Sequence, residues 1–410
     1  MKTIFVTGAT GFLGGYFVCH LLQNTTENIY CLAREKGISS AEERIKQNLR
    51  NIENSFSKIN VNDKQFEEKM NRRIKVINGD ITEKNLGISN CQQITCIDEF
   101  WHIAGNVQFL ESKMQEVMAT NVEGGKNVLQ FIKNNNIPIL NYISTAYVAG
   151  QKNGNIMEIL ADETFPANNV YEQSKRIMEK EIIAAHNRGE CNYRIFRPAI
   201  IVGHSQTFEP DPSLGGIYGF LSLGLSLKRQ IETKEPDYFK HNTVRILSTA
   251  NVTLSLISVD HVVDVLVQIS NNPESVNKIF HVAPAEETDL VKFVSLSQKL
   301  LGLNIEFVFH RVDLKLVDKL FNKKTERYNC YLFYKKHFET SEARTYCRLK
   351  YEQYKLSDHI LNKMIEKFCA NHNEKIKNKR AMKQQKKKKL HDLKYHFQLF
   401  PSLQNLPIAM

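Results

Sequence analysis

The amino-acid sequence predicts an α/β protein, doubly wound about a parallel sheet, followed by a smaller C-terminal lobe and a basic helical or disordered tail. Three observations lead there. Short β-branched runs alternate with helical patterns over about the first 205 residues. A glycine-punctuated turn, VTGATGFLGG from Val6 to Gly15, joins the first strand pattern to the first helix pattern. The excess positive charge is gathered near the C-terminus and not spread through the chain.

The elements follow in order. Thr3–Thr7 reads as a strand and Phe12–Gln23 as a helix. Asn28–Ala33 is a strand, then comes a polar helix near Ala41–Asn54. Ile74–Asn78 and Ile97–Ala104 are strands, and Lys113–Lys133 is one long helix. Ile139–Ser144 is a strand, Tyr171–His186 a helix and Tyr193–Phe196 a strand. Strands separated by helices require right-handed crossovers, which place helices on both faces of a parallel sheet. After Gly203 the pattern loosens around Pro210, Pro212 and Gly215-Gly216. It returns with a strand at Val252–Val259, a helix after Asp260 and a last strand at Ile279–Val282. The expected division is 1–205 for a dinucleotide-binding domain and 206–345 for a second lobe, with 250–283 returning to the first. Residues 346–410 form a helical region and tail.

Composition narrows the class. Hydrophobic residues make up 42% and charged residues 24%, as in a globular protein with a sizeable core. The eight cysteines are scattered, and Cys91 and Cys96 lack metal-clip spacing. A reducing, cytoplasmic compartment follows. The chain opens directly on a strand pattern at Lys2, so no export signal is expected. The longest apolar stretch, Leu214–Leu227, is about 14 residues and too short to span a bilayer. It reads as a core helix of the second lobe or as a surface-lying or pocket-lining segment. The formal charge is +11. Ten basic residues against two acids between Asn371 and Tyr395 put +8 in the tail and leave about +3 elsewhere. The core is therefore not basic, and nucleic acid is not expected as a partner. The tail, from Leu361 to Lys394, reads as solvated. Its functional alternative is attraction to an anionic partner, such as a membrane surface to which the chain would attach peripherally.

Gly8, Gly11 and Gly14 recur every third residue between a strand and a helix. Gly8 permits a tight turn, Gly11 lets backbone approach a pyrophosphate, and Gly14 lets helix and strand pack closely. Free N–H groups at a helix start favour phosphate. The second strand ends in Arg34, where an acid would select NADH. A planar cation suits the 2′-phosphate of NADPH. Asp80, closing INGD, suits the adenine edge. Tyr171 and Lys175 lie four residues apart on one helical face. An ammonium there is expected to lower the phenol's pKa and make Tyr171 a proton donor. Thr145 follows a strand at the sheet edge, where ligands gather.

With these residues in view the sequence resembles an extended short-chain dehydrogenase/reductase. It is similar to the branch of fatty acyl-CoA reductases and thioester reductase domains. The likeness rests on VTGATGFLGG, YCLAR, RIKVINGDIT, FWHIAGNVQF, TNVEGGKNVLQF, YISTAYVAG, YEQSKRIMEKEI and FRPAIIVGHS. It implies a Rossmann-type domain with Thr145, Tyr171 and Lys175 as the catalytic set. It implies cofactor contacts from Gly8, Thr10, Gly11, Phe12, Leu13, Gly14, Arg34, Asp80 and Ile81. Ala104, Gly105, Tyr171, Lys175 and Pro198 would join them. Asn121 matches a helix asparagine beside the cofactor that serves structure or a proton relay. The implied reaction is NADPH-dependent reduction of an acyl thioester to an aldehyde or alcohol, with no metal. On this resemblance Leu214–Leu227 would offer a wall to the acyl chain, and the basic tail would attract an acyl carrier protein or the phosphates of CoA. Two readings stay open. One is a nucleotide-sugar epimerase or dehydratase, or a sterol-like dehydrogenase, of the same superfamily. The other is a nucleotide-binding protein without catalysis.

Overall fold

The computed structural model describes residues 2–57, 63–89, 94, 96–211, 216–309 and 313–399. Its centre is a seven-stranded parallel sheet. The strands are β1 (Thr3–Thr7), β2 (Asn28–Ala33), β3 (Ile74–Asn78), β4 (Glu99–His102), β5 (Ile139–Ile143), β6 (Asn192–Pro198) and β7 (Lys278–Val282), in the order β7-β6-β5-β4-β1-β2-β3. The order reverses between β1 and β4, which opens a crevice beyond the C-terminal ends of the strands. Both faces of the sheet are covered, so its inner strands are buried almost throughout, without alternation. Ile4 and Val6 face one core, with Phe17, Trp101 and Phe196. Phe5 faces the other, with Tyr30, Phe100 and Phe131.

Helices α1 (Phe12–Asn24), α2 (Ala41–Ser57) and α3 (Asp63–Arg73) lead from β1 to β3. The sequence reading did not anticipate α3, a short polar helix. The expected single helix from Lys113 to Lys133 is instead α4 (Met114–Met118) and α5 (Gly124–Asn134), joined by a π-helical turn over Ala119–Glu123. That turn carries the buried Asn121, whose side chain is bonded on two sides. Helix α6 (Val170–Asn187) starts at Asn169, whose side chain accepts the Glu172 amide at 3.0 Å.

Beyond β6 the chain builds a lobe around the parallel pair Thr243–Leu247 and Asn304–Val308, flanked by helices Gly216–Glu232, Leu290–Leu301 and Leu316–Thr325. The helix Val259–Ser270 and β7 return to the main sheet. The expected strand Val252–Val259 divides in two. Thr253–Leu254 pairs with Thr288–Asp289, and Leu256–Ser258 pairs with Ile200–Gly203. Nor is β7 the chain's last strand, because Lys336–Phe338 pairs with Gly154–Ile156 across 182 residues of sequence. The apolar stretch near residue 220 is a core helix: Ile217, Tyr218, Phe220 and Leu221 are buried, and of its described residues Gly216 alone borders the crevice. No helix among the described residues is long and apolar enough to cross a membrane. The helix Asp358–Leu399 carries the basic tail. The side chains of Lys379, Arg380, Lys383, Lys386, Lys387, Lys388, Lys389 and Lys394, on which the readings of that tail rest, lie outside the described residues.

Candidate active site

The glycine turn comes first. Gly8 has φ +87°, and a Cβ there would stand 2.6 Å from the Ala104 nitrogen. A Cβ on Gly14 would stand 2.3 Å from the Gly8 carbonyl oxygen. Both positions therefore exclude any side chain. The Gly11 amide donates to the Gly8 carbonyl at 2.8 Å. From α2, Asn48 donates to the carbonyls of Ala9 and Gly11 at 2.9 and 3.1 Å. Helix α1 has no side-chain cap and no acid in its first turn. Its first N–H groups, unpaired within the helix, suit an anion. These features fit the pyrophosphate of a dinucleotide.

From this turn a cavity of about 510 Å³ runs along the strand ends. Gly8, Thr10, Gly11, Phe12, Leu13, Gly14, Arg34, Asp80, Ile81, Ala104, Gly105, Thr145, Tyr171, Lys175 and Pro198 all line it. Asn121 does not. Expected among the cofactor contacts, it sits behind Gly105. Its Oδ1 accepts the Asn106 amide at 2.7 Å, and its Nδ2 donates to the Asn106 carbonyl and the Ser174 hydroxyl at 2.9 and 2.8 Å. Its amide is fully engaged in holding the wall to α6.

At the β2 end, Arg34 pairs with Asp80, Nη1 to Oδ2, at 3.0 Å. The side chain of Arg34 is 67% exposed. Burial pushes the Asp80 carboxyl up. The Thr82 amide, Arg34 and the Thr82 hydroxyl together outweigh it and hold the carboxyl below its usual range. Arg44 of α2 donates to the Arg34 carbonyl and lines the same end. Sequence reading missed Arg44, because nothing in its helical spacing marks it. In the middle, the Thr7 hydroxyl lies 2.8 Å from His102 Nδ1 and accepts the Ala104 amide at 3.3 Å. Burial, aided by the charge of Lys175, pushes His102 down to about 3, so its imidazole is neutral.

The β5 end is more deeply buried. Thr145 follows β5, and its Oγ1 accepts the Tyr147 amide at 3.2 Å. Tyr171 stands in the first turn of α6. Lys175 is 4% exposed, its Nζ donates to the Ile143 carbonyl at 2.7 Å, and it lies 4.6 Å from the Tyr142 ring centre and 6.0 Å from that of Tyr171. The expected lowering of the Tyr171 pKa does not occur. Burial, with a smaller push from Glu172, raises it well above the usual phenol range. Burial also brings Lys175 down to about 7, against a weaker opposing pull from Glu179. Desolvation disfavours the charged form of both groups, and for the phenol it prevails. Behind these residues, Ser144 donates to Glu179 at 2.5 Å, and Glu179 is paired with Arg197 at 2.6 Å, both fully buried. Phe109, Tyr147 and Tyr331 complete the wall near Tyr171, and sequence reading had not placed them there.

The model of the male sterility protein family, an NAD-binding family, matches residues 6–266. The chain is 26% identical over 295 residues to a linear gramicidin synthase of Brevibacillus parabrevis, a match that covers 69% of this chain and 5% of that protein. It is 32% identical over 168 residues to the alcohol-forming fatty acyl-CoA reductase of Simmondsia chinensis, covering 38% of this chain and 33% of that one. It thus spans a third or less of the length of these relatives. Among solved structures it resembles the terminal R domain of the myxalamid PKS-NRPS pathway, with TM-score 0.69 and 22% identity over 90% of this chain and 91% of that one. It also resembles an archaeal thiolation-reductase di-domain, with TM-score 0.68 and 19% identity over 89% and 74%. At these identities the structures speak for the fold.

Proposed function

The chain belongs to the male sterility protein family of NAD-binding proteins, and from that premise we propose that it is an NADPH-dependent reductase of acyl thioesters. The observation that carries the reading is one continuous cavity. It joins a side-chain-free phosphate turn, two arginines at the β2 end, and the Thr145, Tyr171 and Lys175 side chains. NADPH over NADH is supported by Arg34 and Arg44 together, since two guanidinium groups suit a 2′-phosphate, with Arg34 exchanging its Asp80 partner for it. In this reading residues 1–205 with 250–283 hold the dinucleotide, and 206–345 shape the substrate side.

When bound, the nicotinamide supplies the hydride. Thr145 donates a hydrogen bond to the carbonyl oxygen of the thioester. Tyr171, kept protonated by burial, gives its proton to that oxygen as negative charge develops there. Lys175 lies near enough for its charge, when protonated, to favour the phenolate left behind. Collapse of the product with loss of the thiol yields an aldehyde, and a second round would yield an alcohol. The thiol belongs to CoA or to a carrier domain.

The test follows NADPH absorbance with acyl-CoA thioesters, using ketones and nucleotide sugars as controls. Thioester-dependent oxidation, faster with NADPH than with NADH, is expected. Oxidation with ketones or sugars but with no thioester would overturn the reading.

A further inference from the structure

Four aromatic rings form an arc beside the reactive residues. The Tyr171 and Phe109 ring centres are 6.0 Å apart, Phe109 and Tyr331 6.2 Å, and Tyr331 and Tyr147 4.9 Å. Rings at such spacings touch. The arc starts at Tyr171 and ends at Tyr147, two residues beyond Thr145, and all four members line the cavity. Tyr328 backs Phe109 at 6.1 Å, and Phe338 backs Tyr147 at 5.4 Å.

The members come from distant parts of the chain. Phe109 belongs to the segment after β4, and Tyr147 to the short turn after Thr145. Tyr331 ends a 3-10 helix, Glu326–Tyr331, contributed by the second lobe. Its position is held from the next residue: the Leu332 carbonyl accepts the Ser248 hydroxyl at 2.7 Å and the Thr249 amide at 3.0 Å. The ring is thus mounted on an anchored backbone. The arc also stands at the β4–β5 end of the crevice, away from the arginines at the β2 end. A dinucleotide laid from those arginines past the glycine turn leaves the arc facing the acyl carbons of a substrate held by Thr145 and Tyr171.

We propose that this arc is an acyl-length gate and that Tyr331 is its specificity-determining residue. The inference rests on the thioester-reductase reading. Rings already in contact leave no channel between them for an alkyl chain. A short acyl group fits inside the arc, and a long one must displace a ring. Tyr331 is the member that the second lobe contributes, on a different element from Thr145 and Tyr171.

The experiment compares butanoyl-CoA and hexadecanoyl-CoA as substrates of the full chain, with kcat/KM measured for wild type, Tyr331→Ala, Tyr331→Phe and Phe109→Ala. Wild type should favour the short thioester. Tyr331→Ala should raise the long-to-short ratio by about tenfold or more, the scale on which apolar pockets discriminate by size. Phe109→Ala should move the ratio the same way, which keeps the gate testable if Tyr331→Ala fails to fold. Tyr331→Phe, which keeps the ring, should retain the wild-type ratio. Turnover with a ratio unmoved by either alanine overturns the gate and leaves the reductase reading standing. A ratio moved as far by Tyr331→Phe as by Tyr331→Ala also overturns it. Absence of any thioester turnover overturns both.

Discussion

The two ends of the cavity both carry charged side chains, and water treats them differently. At the β2 end Arg34 meets Asp80 at 3.0 Å with most of the arginine in solvent. At the β5 end Lys175 is buried, and its hydrogen bond goes to a carbonyl and not to a carboxylate. The open end can exchange one partner for another at little cost, because solvent screens each state. That suits the recognition of a phosphate that comes and goes. At the closed end each charge is fixed by its surroundings, so burial and not pairing decides protonation. One cavity thus has a solvated end and a buried end, and the proposed function divides binding from chemistry along the same line.

If that contrast is right, changes at the closed end should cost most. Tyr171→Phe should lower kcat/KM for thioester reduction by about 10²–10⁴-fold, the usual scale for a positioned acid. NADPH binding, followed by quenching of protein fluorescence, should persist. Retained turnover would break the contrast at its strongest point. Next, Arg197→Met leaves Glu179 buried without its cation, and denaturant unfolding should show a loss of about 3–5 kcal/mol.

The third prediction concerns pH. Burial holds Lys175 at about 7 in the folded chain, against its ordinary 10.5. Between those values the unfolded chain binds a proton that the folded chain lacks, so stability rises with pH across that window. The unfolding free energy of wild type, measured relative to Lys175→Met, should climb from pH 7 to 10. A flat difference would place the lysine in water and erase the distinction between the ends. The smallest effect belongs to the open end. Arg34→Ala should cut the preference for NADPH over NADH about tenfold, the worth of one charge-assisted hydrogen bond. Stability should change by under about 1 kcal/mol.

Much of this was legible in the residues. The strands β1, β2 and β3 fall where β-branched runs predict them, and fifteen of the sixteen expected site residues line one cavity. Local signals suffice when glycine spacing and strand periodicity are short-range facts. Three kinds of feature escaped. The pairs Gly154–Ile156 with Lys336–Phe338 and Thr243–Leu247 with Asn304–Val308 join short strands whose partners lie far along the chain. Arg44 and Tyr331 reach the cavity only through tertiary packing. The direction of the Tyr171 shift was misjudged because helical spacing reveals a neighbour's charge and says nothing of the solvent around it.

The bond from Lys175 to the Ile143 carbonyl has a consequence for how the Thr145 and Tyr171 hydroxyls stay aligned. Thr145 follows the strand and Tyr171 lies on the helix, and this bond, with that from Ser144 to Glu179, ties the two together. An amine that has lost its proton still keeps N–H groups to donate. The clamp between strand and helix therefore persists on either side of neutrality, while the electric field at the phenol changes. Shape and charge at this site are separately adjustable, and acidity can be retuned by evolution or by design without loosening the scaffold that aims the oxygens.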